Sequence, residues 1–157
     1  MGMSAQALRI YKSNNYLDSA AGAIAFVAVI EAVIGNVSAT HQEAAASAAL
    51  SRTRVNLPVV AVALALVEDA NAAHKIIDDL RAPRTSQVNS VYVPLAEALL
   101  QSSHGNTSGA LQSLEPEAHF EMAPAFGFLP IYVRGLIYLR GRQGKEVSNQ
   151  SNGTELR

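Results

Sequence analysis

The sequence contains neither cysteine nor tryptophan, and only 16% of its 157 residues are charged. Without cysteine the chain can form no disulfide, no zinc-thiolate site and no thiol nucleophile. This absence fits a reducing compartment, and we expect the cytoplasm. Twelve basic and thirteen acidic residues give a net charge of −1, so no overall positive field attracts a nucleic-acid backbone or an anionic membrane surface. Nucleic-acid binding is therefore disfavoured.

Long apolar runs are also scarce. The most membrane-like run, AAGAIAFVAVIEAVIG at residues 20–35, is interrupted by Glu31 and is shorter than the roughly 20 apolar residues that a membrane span needs. A buried helix explains it better, and we expect no membrane insertion. The alternative is a long secretory leader that contains Asp18 and ends near the Val-Ser-Ala sequence at residues 37–39.

The motifs of the common enzyme classes are missing as well. The chain has no glycine-rich phosphate loop, no His-Arg-Asp or Asp-Phe-Gly kinase sequence and no Gly-x-Ser-x-Gly nucleophile context. The segment GRQGKE at residues 141–146 lacks the P-loop spacing and the Ser or Thr that follows its lysine. No two of the four histidines are three or four residues apart, so none pair as metal ligands on one helix. We predict a non-enzymatic chain without cofactor or metal.

What the sequence does contain is alanine and helical periodicity. Hydrophobic residues make up 49% of the chain, which favours a folded protein, and alanine favours helix over strand. In the segment 70–82, Ile76, Ile77 and Leu80 would share one side of a helix, while the charged residues around them fall largely on the other. We predict a single all-α domain.

An internal repeat is the strongest organising feature. Pro58, Pro94 and Pro130 each stand between apolar residues, at intervals of 36 residues, and proline is tolerated in the first turn of a helix. Each is followed by an apolar segment and then a turn signal. The predicted turns, including one before the first proline, are Gly35-Asn36, Glu68-Asp69, Gly105-Asn106 and Gly144-Lys145. Alanine stands seven residues before each of the first three, at Ala28, Ala61 and Ala98. This period predicts helix–turn–helix units.

The predicted architecture is a set of antiparallel helical hairpins stacked as an α-solenoid, with an ordinary up-and-down bundle as the alternative. Residues 1–16 form a short helix or leader, 17–144 the repeat domain, and 145–157 a polar tail that is disordered or is a truncated repeat. The predicted helices are 5–12, 17–34, 38–51, 56–67, 70–82, 90–104, 107–115 and 130–143. The aromatic connection 116–130 is expected to fold back over the array.

The stretch YVRGLIYLRGRQGKE at residues 132–146 resembles a tetratricopeptide repeat, with Gly135 and Tyr138 ahead of a glycine turn. It is similar to the helical arrays at the C-terminal end of bacterial signalling proteins that carry a serine/threonine kinase or winged-helix domain. The resemblance implies a protein-binding scaffold, a fragment of such a protein. Two features depart from the family: Tyr138 lies six residues before Gly144, more than the usual spacing, and a polar segment follows where a packing helix is expected.

Candidate peptide-binding residues come from the first helix of each pair, which would line the concave side of such an array. They are Asn89, Tyr92, Arg134, Tyr138 and Arg142. The last three are spaced by four residues, and their stripe would grip a peptide carboxylate or aromatic ring. The alternative is that Tyr138 packs inside the repeat and the arginines only solvate an apolar helix.

Two other functions remain open from the sequence. The chain could be a structural domain that associates with itself through apolar end helices, at Leu136, Ile137 and Leu139. It could also be an RNA-binding helical-repeat protein similar to pentatricopeptide arrays, although such a protein needs a basic groove and the net charge of −1 argues against one.

Overall fold

The computed structural model describes residues 16–80, 87–115 and 129–154, with the backbone alone described at 87–89 and 143–154. These residues form seven α-helices and no strand, so the all-α prediction is confirmed. The helices are α1 (Leu17–Val33), α2 (Val37–Leu50), α3 (Leu57–Leu66), α4 (Ala70–Leu80), α5 (Gln87–Ser103), α6 (Thr107–Ser113) and α7 (Leu129–Thr154). The predicted helix at 5–12 and the aromatic segment 116–128 lie outside the described residues.

The same chain reversal joins α1 to α2, α3 to α4 and α5 to α6. Each reversal has a residue with positive φ at its centre: Gly35 at 81°, Glu68 at 62° and Gly105 at 78°. The backbone N–H of the next residue donates to the carbonyl five residues earlier, which is the hydrogen bond of a Schellman motif. The predicted turns at Gly35, Glu68 and Gly105 are confirmed.

The residue after each left-handed position then caps the following helix. Asn36, Asp69 and Asn106 each accept, through a side-chain oxygen, the backbone N–H of the residue three positions later. Such N-caps contribute about 1 kcal/mol each. A left-handed residue followed by Asn or Asp therefore both ends one helix and begins the next.

The helix pairs pack in series along the chain. Helix α3 lies against α1, α5 against α3, and α7 against α5, while α2, α4 and α6 each also contact the first helix of the following pair. Because the connections are so short, the two helices of each pair run antiparallel. The recurring small residues Ala28, Ala61 and Ala98 are all 0% exposed, as expected for positions of close helix approach.

Helix α3 is the centre of the core. Its sequence LPVVAVALAL is apolar on all sides, and every residue from Leu57 to Ala65 is buried, as is typical of a fully enclosed helix. It packs against α1, α2, α4 and α5. On α4 the amphipathic prediction is confirmed, since Ile76, Ile77 and Leu80 are buried. None of the described helices is long and apolar enough to cross a membrane.

Proline does not open all three of the predicted helices. Pro58 and Pro130 are the second residues of α3 and α7, but Pro94 lies in the interior of α5. An interior proline costs about 3 kcal/mol, because it removes one backbone hydrogen bond and its ring crowds the preceding turn. Helix α5 nevertheless continues through Pro94, with Val91 and Leu95 fully buried on either side of it. Tertiary packing here outweighs the local preference.

Gly144 does not end the last helix, contrary to the prediction. Helix α7 continues through it to Thr154, so the backbone of residues 145–154 is helical in the segment for which the sequence predicts a polar tail, either disordered or a truncated repeat. The other three turns place Asn or Asp after the left-handed residue, whereas Gly144 is followed by Lys145, which cannot cap a new helix in the same way. A glycine inside a helix costs only about 1 kcal/mol relative to alanine.

Two glycines of α7 should respond oppositely to alanine substitution. A Cβ atom at Gly141 would lie 2.7 Å from Cγ2 and 2.8 Å from Oγ1 of Thr107, whereas one at Gly135 would meet nothing within 4 Å. Both substitutions gain the same helix propensity, about 1 kcal/mol. In urea unfolding we expect Gly135→Ala to raise the free energy of unfolding and Gly141→Ala to lower it. Equal stabilisation by both would show that α7 does not closely approach α6.

Candidate functional site

An open groove lies between α6 and α7, and we call it the α6–α7 groove. It encloses about 500 Å³. Its lining residues are Thr107, Ser108 and Leu111 from α6, and Tyr138, Gly141 and Arg142 from α7. The absence of a side chain at Gly141 lets α7 approach the first turn of α6. One wall therefore offers hydroxyl groups, and the other an aromatic ring and a guanidinium group.

Two of the predicted binding residues, Tyr138 and Arg142, stand in this groove. Tyr138 is 57% exposed, so it does not occupy a packing position as the alternative interpretation held. Arg142 lies one helical turn further along and is also exposed. A guanidinium group can bind a carboxylate through two parallel hydrogen bonds, and a tyrosine supplies apolar contact area together with a hydroxyl. The pair could therefore hold a side chain or chain terminus that carries a carboxylate.

Arg134 has a different environment from the rest of the predicted stripe. It is half-buried, and its Nη2 donates a hydrogen bond of 3.5 Å to the carbonyl oxygen of Leu114, directly after α6. Leu114 itself is fully buried. Arg134 therefore helps to hold α7 against the end of α6, and it is not among the residues that line the groove.

Sequence reasoning missed the role of Arg140. Its Nη2 lies 3.1 Å from Oε1 of Glu68, the left-handed residue of the α3–α4 turn. On the other side of this turn, His41 Nε2 lies 3.2 Å from Oδ2 of Asp69. The turn is therefore contacted from both α2 and α7. No local pattern could have revealed the Arg140 contact, because its partner lies 72 residues away in the sequence.

The prediction that Tyr92 faces an open binding surface is wrong. Tyr92 is only 2% exposed, and its ring meets that of Phe26 edge-on, with centroids 6.4 Å apart and planes at 75°. Helices α1 and α5 both pack on α3, which brings the two rings together. For Asn89, the other candidate on α5, the structure describes the backbone and not the side chain.

Burial of Tyr92 predicts an alkaline loss of stability. Desolvation raises the pKa of its phenol above the usual value near 10. In the unfolded chain the phenol ionises near pH 10, while the folded chain still holds the proton. The contribution of Tyr92 is thus fully present below pH 10, and it is lost as the pH rises above that value. Between pH 8 and about 11, we expect the free energy of unfolding to fall less in Tyr92→Phe than in the wild-type chain. An identical fall in the variant and the wild type would contradict this expectation.

A second, smaller cleft lies between α4 and α5. It encloses about 240 Å³, and its lining includes His74, Glu97 and His104. The Nδ1 atom of His104 already lies 2.7 Å from the carbonyl oxygen of Leu100. Among the described residues, no three His, Cys, Asp or Glu side chains are arranged to hold a metal ion. No local pattern predicts that His74 and His104 line the same cleft, since they belong to different helix pairs.

Comparison of the chain with protein-family models, with curated proteins and with solved structures finds no match. The resemblance of residues 132–146 to a tetratricopeptide repeat therefore stays a prediction.

Proposed function

We propose that this chain is a non-enzymatic protein-interaction module, built as an α-solenoid of tetratricopeptide-like hairpins, that holds a carboxylate-bearing peptide in the α6–α7 groove. The observation that carries the proposal is the pairing of exposed Tyr138 and Arg142 on α7 opposite the hydroxyl groups of Thr107 and Ser108. In keeping with the resemblance, it would serve as the interaction part of a larger bacterial signalling protein in the cytoplasm.

The packing order of the helices supports the solenoid arrangement. In stacked hairpins, each unit contacts its neighbours along the chain and buries its apolar face against them. The described helices follow this order, because every second helix lies on its own partner and on the first helix of the next pair. The three equivalent turns at Gly35, Glu68 and Gly105 add a repeated local structure. An up-and-down bundle would not require the turn chemistry to recur.

The chemistry of the groove favours a peptide over the other ligand classes. An open groove between two helices can take an extended chain, and the hydroxyl groups of Thr107 and Ser108 could form hydrogen bonds with its backbone. RNA binding would require several cations along the path of the backbone, and Arg142 is the one basic residue among the described groove residues. Catalysis would need an acid or base beside a nucleophile, and these lining residues include no carboxylate or imidazole.

Selection of peptides from a displayed random library on the immobilised chain tests this proposal. We expect enrichment of peptides that carry a carboxylate next to an apolar or aromatic residue. Arg142→Glu should weaken the binding of the selected peptides by about tenfold or more, since a hydrogen bond between charged groups contributes about 1.5–3 kcal/mol. Lys75→Glu is the matched control, because it makes the same charge reversal at an exposed position on α4.

Two results would contradict the proposal. The first is a selection that enriches no acidic motif. The second is a selected peptide that binds equally to the Arg142→Glu and Lys75→Glu chains, because its attachment would then depend on overall charge or on another surface.

A further inference from the structure

The last helix exposes side chains at positions that the interior helices bury. The residue directly after the repeating proline is 2% exposed in α3 (Val59) and 0% exposed in α5 (Leu95), but 41% exposed in α7 (Ile131). The residue after Ile131, Tyr132, is 40% exposed, and Leu139 two turns later is 55% exposed. These three residues form the apolar face of α7, on the side away from the buried residues of the helix. The residues of α3 and α5 that correspond to Ile131 and Tyr132 are all buried, namely Val59, Val60, Leu95 and Ala96. At the position of Leu139, by contrast, Val67 is half-buried and Ser103 is exposed.

The first helix shows the same contrast. Five residues before the left-handed residue of each turn stand Ile30, Ala63 and Leu100, which are 59%, 0% and 2% exposed. Phe26, one turn earlier on α1, is 45% exposed and makes a single ring contact with the rest of the fold, the edge-on one to Tyr92, among the described aromatic pairs. Phe26, Ile30 and Val33 form the apolar row of α1, spaced as one face of a helix.

This contrast corrects one part of the self-association prediction. Ile137, which was expected on an exposed end, is 0% exposed, and Leu136 packs against the core. Leu139 is exposed as expected. The reason is the orientation of α7, which turns Val133 and Ile137 toward the core and its opposite side outward.

The first described hairpin and the last described helix also carry opposite charge. The hairpin of α1 and α2 contains three carboxylates and neither lysine nor arginine; the acids are Asp18, Glu31 and Glu43. Helix α7 contains four basic residues and one acidic residue; these are Arg134, Arg140, Arg142, Lys145 and Glu146. Charges of opposite sign steer two surfaces together and fix their orientation, whereas like charges oppose contact. Two α7 ends would therefore repel each other, and so would two α1 ends.

We propose that copies of this chain associate head to tail, with the apolar face of α7 on one copy packed against the apolar row of α1 on the next. Both surfaces then become covered, as the equivalents of Ile131 and Ile30 are inside each chain. The interface is heterologous, because its two sides are different, so each added copy leaves one free surface of each kind. The proposal goes beyond the peptide-binding function, and it involves Ile30 and Leu139, neither of which lines the α6–α7 groove.

Light scattering after size-exclusion chromatography, which measures the molar mass in solution, tests this geometry. Two variants are compared, each of which blocks one of the two surfaces. Ile30→Glu removes the α1 surface and Leu139→Glu the α7 surface, both at exposed positions where folding should survive. The wild-type mass should rise with concentration, and each variant alone should stay a monomer. An equimolar mixture of the two variants should form a dimer and stop there, because one intact α7 face meets one intact α1 row.

Val55→Glu is the matched control, since Val55 is 58% exposed and lies between the first two hairpins, outside both surfaces. It should assemble as the wild type does, and added salt should weaken the assembly of both. A wild-type chain that stays monomeric at all concentrations would overturn the proposal. A mixture of the two variants that stays monomeric while the wild type assembles would overturn it too, because an intact α7 face would then fail to bind an intact α1 row. Loss of assembly in Val55→Glu would show non-specific apolar association.

Discussion

Replacing Asn56 with alanine should lower the free energy of unfolding by about 3 kcal/mol, which is large for a polar residue in a small domain. Asn56 stands directly before α3 and is 0% exposed. Its Nδ2 donates to the carbonyl oxygen of Ser51 at 2.8 Å and to Oγ of Ser47 at 3.0 Å. Its Oδ1 accepts from the backbone N–H of Thr53 at 2.9 Å and from Oγ1 of the same residue at 2.8 Å.

The cost arises because alanine would leave these partners without Asn56. Each buried donor or acceptor that loses its partner costs about 1–3 kcal/mol. Ser47 also donates from Oγ to the carbonyl oxygen of Ala21 at 2.8 Å, so the network links α1, α2 and the start of α3. Loss of this network should weaken the contact between the first two hairpins.

Urea unfolding followed by circular dichroism measures this effect, with Asn71→Ala as the control. Asn71 is an exposed residue of α4, and we expect its substitution to change the free energy of unfolding by less than about 0.5 kcal/mol. Equal effects at the two positions would contradict the buried hydrogen-bond network.

Leu99→Ala should destabilise the chain by about 2–5 kcal/mol through loss of buried apolar contact and creation of a cavity. Leu99 is 0% exposed at the middle of α5, a helix that packs against α3, α4, α6 and α7. Because interiors are close-packed, the space left by the three removed carbon atoms, Cγ, Cδ1 and Cδ2, can be refilled only in part. The loss should appear in the unfolding of the whole described fold, since α5 joins the earlier helices to α7.

Leu139→Ala provides the matched control for this substitution. It removes the same atoms from a leucine that is 55% exposed, and at low protein concentration it should cost less than about 1 kcal/mol. A comparable loss at both positions, or a nearly neutral Leu99→Ala, would mean that α5 does not pass through the core.

Local signals in the sequence predicted most of the helix pairs. The combination of a left-handed residue with a following Asn or Asp acts within six residues, so the turns at Gly35 and Gly105 could be located from the sequence alone. The turn at Glu68 was also located, although it has no glycine, because the spacing of the repeat and Asp69 marked it. Its φ of 62° shows that the surrounding structure holds a non-glycine residue in this conformation.

Long-range packing explains the predictions that were wrong. Whether Pro94 begins a helix or lies inside one depends on the helices that surround α5, and no local rule contains that information. The sequence predicts a binding-surface position for Tyr92, because it is a polar aromatic residue on a first helix, but Phe26 of α1 meets it in the core. The groove position of Tyr138 and Arg142 was partly predictable, since their spacing of four residues sets them on one side of α7; the opposing wall from α6 was not.

Amide chemical-shift mapping tests the central claim, that the α6–α7 groove binds a carboxylate-bearing peptide, most directly. An acidic peptide selected on the wild-type chain would be added to the isotope-labelled chain and to its Arg142→Glu variant. We predict that the largest shifts fall at residues 107–111 and 138–142 and that the variant loses them. Shifts that cluster instead around His74 and His104, or that persist in the variant, would contradict the claim.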